Sequence, residues 1–296
     1  MATSQAPTNI DLRGKGALGD RAFKWLAVGA AALVLIILGA IAITMTNRAR
    51  PVLGAMGLDF FTSSTWSEHD GVFGALPFIW GTVYTSAIAI AIAVPISLGV
   101  ALYITQIAPP KLKRPLIYLI DLLAVVPSVV FGLWGALMLA PHLNRSFLTA
   151  GIILAIMITP IITSLAREVI ETTAQADKEA AYALGATRWE MITAAVLPHS
   201  SGGLVGAVML GLGRAMGETI AAALVIGSSP QIALSPFKSG DSMPAVIANQ
   251  WGEASDMQKS ALIALAVTLF VMTIVVNLIA SRIVQRSMAR SRGVGG

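Results

Sequence analysis

The chain has no cysteine, little charge and few histidines. Without cysteine there is no disulfide framework, no thiolate metal site and no cysteine nucleophile. Asp, Glu, Lys and Arg together supply 12% of the 296 residues, against about 25% in soluble domains. That is too little to coat a water-facing surface. The three histidines, His69, His142 and His199, fall in loops or at the ends of apolar runs without ligand-like spacing, so no metal site is expected. No G-x-x-x-x-G-K-[ST] motif occurs, and no Ser/His/Asp cluster lies within an apolar run. Any nucleotide chemistry therefore belongs to another chain. What is abundant is apolar: 56% of the residues are hydrophobic and mean hydropathy is +0.78. A cytosolic enzyme, a secreted disulfide scaffold and a disordered tail are all excluded. The solvent for most of this chain is lipid.

Six runs reach the roughly 20 residues that a spanning helix needs: 25–46, 76–105, 116–139, 147–165, 203–227 and 261–283. The expected fold class is an all-α membrane protein with six transmembrane helices. Residues 1–22 read as a cytoplasmic leader, 23–286 as the transmembrane domain and 287–296 as a cytoplasmic tail. The first run follows a basic leader (Arg13, Lys15, Arg21, Lys24) and exceeds the 7–15 residues of a signal peptide's apolar region. It reads as a retained span. With the N-terminus inside, fourteen of the twenty basic residues fall on the inner side and five on the outer. The bias has one sign in every loop pair, giving an N-in/C-in orientation. The basic charge is thus topological, and no nucleic-acid partner is expected.

The loops differ in character. Those at 47–75 and 228–260 face outward, and 243–254 has the length of a short interfacial helix. The inward loop, 166–202, is Ala-rich and punctuated by Glu168, Glu171, Asp177, Lys178, Glu179, Arg188 and Glu190. Its pattern predicts two helices broken near Gly185, with Pro198 preceding the fifth span.

Residues that lipid makes costly carry more information. Pro95, Pro127 and Pro160 fall within the second, third and fourth spans, where each removes a backbone hydrogen bond and favours a bend. Asp121, near the inner end of the third span, reads as a helix-packing or membrane-edge residue. The fifth span holds Arg214 and Glu218, four apart and so on one face of a continuous helix. Arg214 stands about eleven residues, or roughly 16 Å, into the span, near the bilayer middle. Each charge there costs on the order of 2.5–3.5 kcal/mol. Two readings meet at this point. One is a buried pair that fixes helix register. The other, which is preferred, has Arg214 presenting its guanidinium donors to an anion on a water-accessible path, with Glu218 orienting or restraining it.

Glu179-Ala180-Ala181-Tyr182-Ala183-Leu184-Gly185, followed by Leu197-Pro198, resembles the EAA–G–(I)xLP signature of binding-protein-dependent ABC transporter permeases. The pattern's Ile falls on Ala195 here. Four further segments, Phe73 to Thr82, Asp121 to Gly135, Gly213-Arg214-Ala215-Met216-Gly217-Glu218-Thr219 and Met243 to Asn249, together resemble the phosphate-specific permeases of the PstC type, over about 58–286. The resemblance implies the type I ABC importer permease fold in a bacterial-type cytoplasmic (inner) membrane. It implies a PstA-type permease partner, two ATPase subunits and an extracytoplasmic phosphate-binding protein, with no cofactor and no enzymatic activity in this chain. Glu179, Ala180, Ala181, Gly185, Leu197 and Pro198 would then couple to the ATPase, and Arg214 and Glu218 would line the anion path. A permease for another oxyanion, molybdate or sulfate, would share the topology and the coupling loop. From other classes, an ATP-independent channel and a membrane-embedded enzyme stay open.

Overall fold

The structure is a computed structural model describing residues 17–293, with side chains from 19 to 282. Arg13 and Lys15 of the leader and the side chains of Arg286, Arg290 and Arg292 lie outside the described residues. Helix α1 (Ala17–Met56) belongs to two units, one ending at Asn47 and one running from Arg48 onward. In the first unit the side chains from 19 to 41 are all exposed, an all-round apolar surface suited to lipid.

The second unit is a bundle. After a turn, α2 (Asp59–Thr62), it forms a short antiparallel hairpin, β1 (Trp66–Ser67) and β2 (Val72–Phe73), with Trp66 opposite Phe73. Then come α3 (Leu76–Leu102), α4 (Pro110–Val125), α5 (Ser128–Trp134), α6 (Ala140–Leu143) and α7 (Phe147–Glu171). On the inner side follow α8 (Gln175–Ala183) and α9 (Arg188–Met191), which leads into α10 (Leu197–Gly217). The chain closes with α11 (Ile220–Val225), α12 (Met243–Gln250) and α13 (Asp256–Gly293). Gly19–Met56, Leu76–Ile107, Phe147–Glu171, Arg188–Gly217 and Asp256–Arg282 are long and apolar enough to cross a membrane. The pair α4 and α5–α6 makes a sixth if counted as one span.

Prolines shape these helices in two ways. Pro95 and Pro160 sit inside unbroken helices, whereas the third span turns by 87° at Val126–Pro127. Proline disfavours the helical region for the residue before it, and Val126 is accordingly extended at φ −58°, ψ 127°. Elsewhere the chain widens, without a break at Pro141 and Pro198 and at the helix's end before Pro109. Single π turns at Tyr103–Ile107, Gly135–Leu139 and Ile192–Val196 each end two residues before a proline, Pro109, Pro141 and Pro198. In each case the residue preceding the proline donates its N–H five residues back, as Leu197 does to Ile192. The wider turn makes room for a ring that would strike a carbonyl in a tighter one. Pro198 is therefore inside the fifth span's helix, and that helix starts well before residue 203.

Helix α7 is the bundle's axis. Leu154, Met157, Ile158 and Ile162 pack with Ala89 and Ala93 of α3 and with Ala207 and Ala215 of α10. Hydrophobic burial gives no net drive for helices already in lipid, so close packing does that work. A Cβ added at Gly211 of α10 would lie 2.6 Å from Ile162 Cδ1. Gly211→Leu is therefore expected to destabilise the chain by about 1–3 kcal/mol through overpacking, read as a lowered Tm in detergent. Gly206→Ala, at an open position, should leave the isolated chain's Tm unchanged. At the α4–α7 contact Ser164 Oγ donates to Asp121 Oδ1 at 3.2 Å, which gives Asp121 the packing role. Lys113 pairs with Glu171 at 2.9 Å nearer the inner ends of the same helices.

Candidate functional site

The fifth span is not continuous. Helix α10 stops at Gly217, Glu218 is extended at φ −72°, ψ 123°, and α11 starts at Ile220. The expectation that Arg214 and Glu218 share one helical face is thereby corrected: the i, i+4 rule needs helical backbone through both residues, and Glu218 lacks it. Among the described residues no ion pair joins them. Glu218 is 8% exposed and its Oε1 accepts from Ala221 N–H at 3.3 Å, so its carboxylate caps the first turn of α11. An acidic group at a helix start and a basic one in a final turn both oppose the helix dipoles favourably. Arg214 is in the last turn of α10.

Arg214 itself is exposed, and no hydrogen-bond or ion-pair partner for it occurs among the described residues. Its neighbours on that face, Gly206, Leu210 and Gly217, are exposed too, while Leu204, Ala207, Gly211 and Ala215 are buried on the opposite face. The helix thus packs one side inside the bundle and offers the other, with the guanidinium on it, outward.

The two broken spans touch. Half-helices α5 and α11 approach so closely that a Cβ at Gly132 would lie 2.7 Å from Ala221 Cα. Discontinuous helices that present free ends at membrane depth are how many transporters build binding sites.

The inner loop separates residues that look alike in sequence. Helix α8 ends in a Schellman turn: Ala186 N–H donates to Ala181 O at 3.1 Å and Gly185 N–H to Tyr182 O at 2.9 Å. Gly185 sits at φ +83°, left-handed backbone that a side chain would strain. Glu179, Ala180, Gly185 and Pro198 are exposed, with Gln175 donating to Glu179 at 3.1 Å. Ala181 and Leu197 instead pack against the inner core of Ala166, Ile170, Met191 and Val196. They anchor the loop rather than present it. What the surface does present is apolar: Leu184 is 90% exposed and Trp189 66%. The motif match runs through Leu184, but exposure, not pattern, singles out both residues.

Helix α9 is fixed by a capping box. Thr187 N–H and hydroxyl both donate to Glu190 Oε2 at 2.8 Å, and Glu190 N–H returns to Thr187 Oγ. The backbone bond first and the hydroxyl second hold the Glu190 carboxyl below its usual value. This contribution is complete at neutral pH and is lost as pH falls through that lowered value.

At the other end of the molecule the hairpin and α12 form a polar junction. Trp66 Nε1 donates to Gln250 Oε1 at 2.9 Å, and the Gln258 amide lies 3.0 Å from both Gln250 and Glu68. Nearby, Asp241 is 3% exposed. Burial raises its carboxyl to about 7 despite an opposing bond from Ser242 N–H. A short polar stretch of sequence gave no sign of this burial.

A broken-helix bundle with an exposed, glycine-hinged inner loop defines the class. Residues 93–289 match the model of the family described as binding-protein-dependent transport system inner membrane component. The fold is that of ABC importer permeases. It matches a chain of a bacterial alginate ABC transporter, solved in complex with an alginate pentasaccharide-bound periplasmic protein, with TM-score 0.63 at 16% identity over 93% of this chain and 99% of that one. A chain of the inward-facing MetNI methionine transporter matches with TM-score 0.61 at 16% identity, over 71% and 94%.

Sequence relatives narrow the class. The chain is 39% identical to the phosphate transport system permease protein PstC of Mesorhizobium japonicum, over 93% of each. It is likewise 39% identical to PstC of Xylella fastidiosa, over 98% of this chain and 97% of that one. PstC of Haemophilus influenzae shares the same identity over 92% and 94%. This chain belongs to the PstC family of phosphate transport permeases.

Proposed function

We propose that this chain is the multi-pass inner-membrane permease that forms one half of an ATP-driven phosphate importer's path, with Arg214 drawing the anion through. The unpartnered guanidinium on the outward face of α10 carries this reading. A cation at membrane depth is costly, and beyond the carbonyl end of α10 no partner among the described residues offsets it. A passing oxyanion does: the guanidinium's planar fork matches a tetrahedral oxyanion with two parallel hydrogen bonds. Glu218 caps α11 and forms no ion pair with Arg214 among the described residues, which leaves the guanidinium free to meet the anion. The chain makes and breaks no bond, so the energy comes from separate ATPase subunits.

The open face of α10 is where a second permease, of the PstA type, completes the path. On the inner side Glu179, Ala180, Tyr182, Leu184 and Gly185 dock against an ATPase, two copies serving the permease pair. The outer loops receive a phosphate-loaded binding protein. Affinity purification of the intact complex, followed by mass spectrometry of what accompanies this chain, tests the assembly. A second permease and an ATPase are expected. Recovery of this chain with no ATPase would overturn the reading.

A further inference from the structure

Segment 226–242, between α11 and α12, is strapped down at several points. Its carbonyls cap the start of α7: Phe147 N–H donates to Lys238 O at 3.1 Å and Leu148 N–H to Pro236 O at 2.7 Å. Two aromatic side chains of α3 hold it, Trp80 through Ala233 O at 3.1 Å and Tyr84 through Leu234 O at 2.6 Å. Gly240 N–H closes back onto Ile226 O at 3.0 Å. Met243 N–H donates to Thr82 Oγ at 3.0 Å. The seat is tight: a Cβ on Gly81 would collide with the Asp241 carbonyl, and one on Gly240 with the Phe147 ring.

Asp241 lies inside this seat without a counterion among the described residues. Helices α3, α11 and α12 contain no Asp, Glu, Lys, Arg or His, and α7 has none before Arg167. Tyr84 is the one titratable side chain on the packed stretches, and its hydroxyl is engaged. Arg145, just before α7, and Lys238, within the segment, are exposed, and neither pairs with Asp241. Among the described residues, the hydroxyls of Ser242 and of Ser86, one turn beyond Thr82, are buried with no partner. Among the described residues an ionised carboxylate here has a single hydrogen-bond donor, the Ser242 N–H at 2.8 Å. That is poor compensation for a buried charge.

We propose that Asp241 is a protonation-controlled latch: neutral, it lets segment 226–242 seat against α3 and the start of α7, and ionised, it loosens that seat to admit water. The latch adjoins the path, because Ser146 N–H donates to Val225 O and Gly240 N–H to Ile226 O, the end of the half-helix that Glu218 starts. It depends on the membrane fold and not on which anion is carried. The folded value lies above the ordinary 3.8. The seated form is therefore most favoured at low pH, and the contribution is lost as pH rises from about 4 through about 7.

Hydrogen exchange of the backbone amides of Gly240 and Met243, in the assembled complex in lipid nanodiscs at pH 6 and pH 8, tests this. After correction for intrinsic rates, protection in the native protein should fall by about tenfold between the two values. Asp241→Asn, isosteric and never charged, should show equal protection at both. Lys238→Gln should retain the native dependence. A native protein with flat protection, or an Asp241→Asn variant that keeps the tenfold fall, would overturn the latch. Loss of the dependence in Lys238→Gln would overturn it too, by assigning the titration elsewhere.

Discussion

An Arg214→Ala variant is expected to assemble normally and to lose phosphate uptake by about 30-fold or more, the factor that roughly 2 kcal/mol of charged contact represents. Assembly survives because the guanidinium makes no ion pair within the described chain, and removing a charge from membrane depth relieves a cost. Uptake fails because the anion loses the group that replaces its water. Arg214→Lys separates charge from shape. A lysine keeps the positive charge but offers a point donor in place of the fork, so transport should fall between the native protein and the alanine variant. Radiolabelled phosphate uptake into proteoliposomes, alongside gel filtration of the purified complex, measures both sides. Native uptake by Arg214→Ala would remove this residue from the path.

Leu184→Glu is expected to detach the ATPase, leaving the permease folded. Leu184 stands 90% exposed beside the Gly185 turn, and an apolar side chain held that open on an inward loop has a partner surface to bury against. Central apolar anchors of an interface contribute about 2 kcal/mol or more, and a charge in the same pocket adds a desolvation cost. Co-purified ATPase should therefore drop at least tenfold. Gly185→Val acts through backbone instead. A β-branched residue at φ +83° costs on the order of 1–3 kcal/mol, enough to redirect α9 relative to α8. That variant should hydrolyse ATP with little uptake: uncoupled rather than detached. ATPase rate and uptake measured on one preparation distinguish the two. Unchanged values in both variants would remove the loop from coupling.

Apolar runs of about 20 residues fall on helices long and apolar enough to cross a membrane, because lipid exposure is a local property of each side chain. They placed the start of the fifth span at residue 203, whereas its helix runs from Arg188. Hydropathy reports where lipid begins, and a helix continues through water if it is capped, here by Thr187 and Glu190. Gly185 and the helix over Met243–Gln250 were legible for the same reason: turn chemistry and helix propensity are short-range. The break at Glu218 was not. No proline marks it, and Thr219 at the cap position is its only local sign. A charged pair four apart invited a helical reading that the backbone does not follow. The burial of Asp241 has no local sign, because its backbone is seated against Gly81 and its neighbour Gly240 against Phe147, both far away in sequence, and that seat is readable only when the chain is folded.

The central claim is that this chain conducts phosphate only when a separate ATPase drives it. Proteoliposomes holding the purified complex and loaded binding protein, supplied with ATP or not and with excess sulfate or molybdate or not, test it directly. Labelled phosphate should accumulate only with ATP, persist against either competitor and vanish with Arg214→Ala. Accumulation without ATP, or its suppression by sulfate or molybdate, would contradict the account.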